Sequence, residues 1–142
     1  MLGVLFAIIG GFFMSIQSSF NTRVGESVGT IEATVVVHVV GLLAAIAATM
    51  VIGTGNIMKV TEVNKLYLVG GAFGVIIVYS VIKSISALGV AQAVMLIVVA
   101  QLLLAYIIDL LGLFGMDKVP FSLTKIAGLL IVLLGIFVFS RK

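Results

Sequence analysis

Long apolar runs separated by short polar connections dominate the pattern of this chain. Five runs, at about 2–22, 33–52, 66–85, 91–111 and 121–139, are each continuous enough to cross a bilayer. A hydrocarbon core ~30 Å thick needs ~20 mostly apolar residues in a helix that rises ~1.5 Å per residue. A lipid-facing barrel strand would instead alternate in and out over ~10 residues, about half the length of these runs. The pattern therefore predicts an all-α integral membrane protein, with one five-helix transmembrane domain over residues 1–142.

The connections carry the punctuation. Residues 23–30 hold two glycines and a charge pair, and residues 53–65 form the longest and most polar link. The third turn centres on residues 86–89, and the fourth link covers 112–120 with Asp117 and Lys118. The single proline, Pro120, is expected at the start of the fifth helix, where proline is tolerated. The first run follows directly on Met1 without a basic leading region, so it reads as a retained span. No internal repeat is visible within the five runs.

Composition strengthens this picture. Of 142 residues, 63% are hydrophobic and 9% charged, with a mean hydropathy of +1.43. A soluble domain carries about 25% charged residues, so the partner of this surface is the lipid bilayer. There is no cysteine, hence no disulfide framework or thiolate site. One histidine and five carboxylates give no metal cluster, and no cofactor is expected. A net charge of +3, scattered along the chain, gives no basic patch for nucleic acid. No nucleophile–base or metal-ligand spacing points to an enzyme.

The charges also bear on orientation. Five spans put the termini on opposite sides. Lys59, Lys65, Lys118 and Lys125 fall on the side of Met1, and Arg23, Lys83, Arg141 and Lys142 on the other, four against four. Lys/Arg bias normally makes the richer side cytoplasmic. Its disappearance has two readings. One is a weak topology signal, overridden by a strong helix or a partner. The other is dual topology, with copies inserted both ways up and paired as an antiparallel dimer, the symmetry that larger transporters build from inverted repeats.

The stretch FFMSIQSSFNTR at 12–23 breaks the apolar rule from within. Gln17 and Asn21 are four apart and share a helix face. An amide left unpaired in an apolar medium costs roughly 2–7 kcal/mol. This face is expected to meet either another helix, as hydrogen-bonding glue, or a solute. The fourth run repeats the theme, with Gln92 at its start, Gln101 midway and Asp109 two turns later. An intramembrane carboxylate is a functional candidate by default. The bland alternative has Asp109 reaching the interface to pair with a lysine. His38 is either a proton relay or a packed hydrogen-bonder, histidine being the residue type that changes charge nearest neutral pH. Glu32 suits a helix N-terminus, and Lys83 can snorkel to the headgroups.

Small residues mark expected packing seams. Gly70 and Gly74 are four apart, Gly128 and Gly135 seven apart, and Gly41, Ala45 and Ala48 form a small face on the second run. Such patterns let helix backbones approach closely in lipid.

Several of these pieces, in this order and spacing, resemble the YdcZ-like family of the drug/metabolite transporter superfamily. They are Gly11 with Gln17 and Asn21, then His38-Val-Val-Gly41, then Leu68-Val-Gly-Gly-Ala-Phe-Gly74. Gln101-Leu102 with Ile108-Asp109, Gly112 and Phe114-Gly115 follow, then Val119-Pro120 leading to Gly128 and Gly135. The resemblance covers nearly the whole chain. Two departures are Leu66-Tyr67 where aromatics often stand, and Ala100 where glycine often precedes the glutamine. The resemblance implies a half-size member of a ten-helix superfamily, so that two chains, identical or paralogous, assemble one transporter in the cell's inner membrane. Small multidrug-resistance proteins of the same superfamily have a glutamate in their first span; Gln17 stands here instead, and their cation/proton exchange site is not expected.

The expected function is a transporter subunit that moves a small polar metabolite or drug by alternating access as a dimer. Gln17, Asn21, Gln101 and Asp109 are the expected substrate contacts. Asp109 and His38 are the proton-coupling candidates. Amides offer both donors and acceptors, which suits a neutral or zwitterionic solute. The rival is a structural or accessory membrane subunit without transport of its own.

Overall fold

The computed structural model describes residues 2–141; Met1 and Lys142, one of the basic residues counted above, lie outside them. Six α-helices follow one another: α1 (Leu2–Val28), α2 (Thr30–Ile52), α3 (Lys65–Leu68), α4 (Gly70–Leu88), α5 (Val90–Leu111) and α6 (Leu123–Ser140). There is no strand among the described residues. Since α3 and α4 run on with only Val69 between them, five stretches are long and apolar enough to cross a membrane. This agrees with the five expected runs. Large apolar side chains stay exposed along all of them, from Leu5 and Phe6 to Phe137 and Val138, as a lipid-facing surface requires.

The ends of the helices differ from expectation. α1 does not stop near Thr22 but continues to Val28, and its 27 residues span about 40 Å, more than the hydrocarbon core needs. The extra turns hold Arg23 and Glu26 three apart, where their side chains pair at 2.9 Å. The expected link of 23–30 therefore shrinks to Gly29, whose φ of 100° reverses the chain. Only glycine takes such a φ without strain. Glu32 occupies the first turn of α2, as expected for a carboxylate at a helix start. The long polar link contains a 3₁₀ turn (Ile57–Glu62). Asn56 and Asn64 each accept a backbone N–H through their side-chain oxygens, from Met58 at 2.9 Å and from Leu66 at 3.0 Å. Pro120 is not at a helix start. α6 begins at Leu123, with Ser122 as its N-cap.

The helices group into two compact units, residues 1–87 and 88–142. In the first, α1 and α2 form a helical hairpin about Gly29, and Ile82 of α4 packs against it. Ile82 is 1% exposed. A methyl placed on Gly25 of α1 would lie 2.9 Å from Ile82 Cγ2 and 3.8 Å from the Ala33 side chain of α2. The bare Gly25 is what lets a branched side chain enter this junction. In the second unit, α5 and α6 pack together. Gly112 closes α5 in a left-handed conformation, its N–H bonding to the Ile108 carbonyl, a common helix ending.

Candidate functional site

Polar groups in these helices divide by how they are satisfied. The hydroxyls of α1 serve themselves. Ser15, Ser18, Ser19 and Thr22 donate to the carbonyls of Gly11, Met14, Ser15 and Ser18, one turn back. Thr34 and Thr49 do the same in α2. This back-bonding is how a hydroxyl sits in a membrane helix without a partner elsewhere. Half of the polar stretch at 12–23 thus needs no further explanation.

The amides do not follow. Gln17, Asn21, Gln92 and Gln101 make no side-chain hydrogen bond among the described residues. Gln17 and Gln101 are exposed, and Gln92 is half-buried. Asn21 is 8% exposed, beside buried Thr22. No fully enclosed side-chain nitrogen or oxygen lacks a partner among the described residues, so the unpartnered amide of Asn21 keeps an opening. Gln101 lies at the middle of α5 (Val90–Leu111), the depth farthest from water on either side. The four-residue spacing of Gln17 and Asn21 places both on one face of α1, with Asn21 toward the packed end of the helix and Gln17 outside it.

His38 is half-buried in α2. Its Nδ1 donates to the Thr34 carbonyl at 2.7 Å, which in the neutral ring leaves Nε2 as an acceptor. Nε2 lies toward α4, where a methyl on Gly74 would come within 2.9 Å of it. Gly74 is thus a point of close approach within the first unit. Gly70, Gly128 and Gly135 have open space where a Cβ would stand.

Asp109 has a defined setting within the second unit. With Leu102, Ala105 and Tyr106 it forms one wall of a pocket of about 430 Å³. Lys125, Gly128, Leu129 and Val132 of α6 form the other wall. Tyr106 fastens the two helices together. Its Oη accepts the Ser122 N–H at 3.0 Å and donates to the Ser122 carbonyl at 3.4 Å. The backbone carbonyl of Asp109 accepts the Val119 N–H at 2.9 Å. The Lys125 ammonium sits 5.5 Å from the centroid of the Tyr106 ring, within cation–π range. Asp109 and Lys125 line one pocket without forming an ion pair. Among the described residues only Arg23 and Glu26 form one. The expected lysine partner of Asp109 is therefore nearby but not engaged.

Tyr106 and Lys125 carry no sequence signal as a pair, being on different helices. Tyr106 stands three residues before Asp109 and Lys125 three before Gly128, so each shares a face with a residue that the sequence did single out. Gln101 does not line this pocket, although it is on the same helix. No group of three or more metal-ligating side chains occurs among the described residues.

A family model named DMT YdcZ and described as "Putative inner membrane exporter, YdcZ" matches residues 2–138. No curated protein and no solved structure matches the chain.

Proposed function

The chain belongs to the YdcZ family of drug/metabolite transporters, and from that membership we propose that it is a transporter subunit working as a dimer by alternating access. The family description, an inner membrane exporter, supports transport and a multi-pass membrane location. The subunit moves a small polar metabolite or drug. Its partner is a second copy or a paralogous five-helix chain, in antiparallel arrangement. Gln17, Asn21 and Gln101 line the polar interior of the assembled dimer, and Asp109 is its ionisable member.

The observation that carries this reading is the state of the amides. Gln101 is exposed at mid-membrane depth without a hydrogen-bond partner, whereas the hydroxyls of α1 are satisfied by carbonyls one turn back. Facing lipid, such an amide costs roughly 2–7 kcal/mol. A second chain with a polar interior removes that cost, and a solute path is the simplest use of a polar interior. The four-against-four distribution of basic residues supports insertion in both orientations. In a proton-coupled cycle Asp109 is the first carrier and His38 the second.

Flux in proteoliposomes tests the reading. The purified chain, loaded against a panel of radiolabelled neutral and zwitterionic solutes, is expected to move at least one. Gln101→Leu is expected to lower that flux at least tenfold while leaving dimer formation intact. Asp109→Asn is expected to abolish its pH dependence. An accessory subunit instead shows no flux with any solute, and its amide variants lose assembly before anything else.

A further inference from the structure

The α5–α6 pocket has a gradient of polarity along its length. Asp109 and Lys125 lie toward the connection between the two helices, the end of the hairpin nearest the membrane surface. Leu102 and Val132 stand seven residues away along their own helices, about 10 Å deeper at ~1.5 Å per residue. The groove is charged at its shallow end and apolar below. Gly128 and Ala105 line it with almost no side chain, and a Cβ at Gly128 would meet only open space. The missing side chains make the room.

From this we infer that the α5–α6 groove binds one membrane phospholipid with a zwitterionic ethanolamine headgroup. Lys125 takes the phosphate and Asp109 the ammonium, while the first part of an acyl chain lies over Gly128 between Leu102 and Val132. Charge complementarity is the reason for this occupant. Two opposite charges that share a pocket but do not pair fit a ligand that carries both signs at a fixed separation. An anionic lipid would satisfy Lys125 and be repelled by Asp109. The depth gradient matches a molecule whose head belongs at the interface and whose tail belongs in hydrocarbon. The Tyr106 ring beside the Lys125 ammonium orients the lysine toward the groove from the α5 side. This site rests on the pocket's own geometry and shares one residue, Asp109, with the proposed transport path. Lipid and solute would meet only at Asp109, where seated lipid competes.

The test is lipid retention by the full chain. Protein in mild detergent is mixed with equal amounts of phosphatidylethanolamine and phosphatidylglycerol, and bound lipid is counted by native mass spectrometry. The expected result is one retained phosphatidylethanolamine per chain, at least fivefold over phosphatidylglycerol. Gly128→Leu, which fills the groove where there is open space, is expected to lose it, and so is Lys125→Gln. Gly135→Leu, with equal room around it but outside the groove, is expected to keep it. Equal retention of the two lipids, or undiminished retention in Gly128→Leu and Lys125→Gln, overturns the inference.

Discussion

The imidazole of His38 lies directly against the bare backbone of Gly74: a methyl on that glycine would approach Nε2 to 2.9 Å. The ring cannot swing aside freely, because Nδ1 is held by the Thr34 carbonyl at 2.7 Å. Gly74→Ala must therefore break that hydrogen bond or push α4 away from α2. Overpacking of this kind costs about 1–3 kcal/mol. The variant is expected to unfold at lower denaturant in detergent titrations, and adding His38→Ala is expected to recover most of the loss. Equal stability of the single and double variants would separate the two residues.

Gly25 and Gly128 make opposite predictions from the same chemistry. Gly25→Ala drives a methyl onto Ile82 Cγ2, deep in the first unit where Ile82 is fully buried, and is expected to destabilise by about 1–3 kcal/mol. Gly128→Ala meets nothing and is expected to be neutral, or to stabilise α6 by up to about 1 kcal/mol through helix propensity. Thermal unfolding of the two variants side by side reads the difference in sign.

Tyr106→Phe removes the hydroxyl that receives the Ser122 N–H. A single hydrogen bond of this kind contributes about 0.5–1.5 kcal/mol. Because it acts at the first residue before α6, the loss is expected to appear locally. Hydrogen exchange at Ser122 and the first turn of α6 should accelerate severalfold, while exchange in α1 and α2 stays unchanged.

A cysteine added after Lys142 reports orientation, since the chain has no other cysteine. Labelled on intact cells with a membrane-impermeant thiol reagent and again after permeabilisation, about half the protein is expected to react only in the second step. Labelling confined to one side would turn the search toward a paralogous partner.

The helices were legible in the sequence because lipid imposes one simple demand, a continuous apolar run of sufficient length. The run at 91–111 and α5 (Val90–Leu111) differ by a single residue. The end of α1 was not legible for the same reason. Hydrophobicity reports where the bilayer stops, whereas the helix continues through Arg23 and Glu26, which pair at helical spacing. Pro120 misled in a related way: it suits a helix start, but Tyr106 fixes that start at Ser122 from sixteen residues away. Of the candidate site, the residue types were visible and their company was not. Asp109 could be named from its cost in lipid, but Lys125 and Tyr106 joined it only through the packing of α5 on α6.

The central claim is that Gln101 faces a water-filled interior and not lipid. The most direct measurement is the reactivity of a single thiol at that position. Gln101→Cys and Leu103→Cys, the latter about 160° around the helix at ~100° per residue, are reconstituted and exposed to a small water-soluble thiol reagent. The account predicts that position 101 reacts at least tenfold faster than position 103, and that a transported solute slows it. Equal and negligible reaction at both positions would contradict the account, because it would put Gln101 in a dry environment with no solute path beside it.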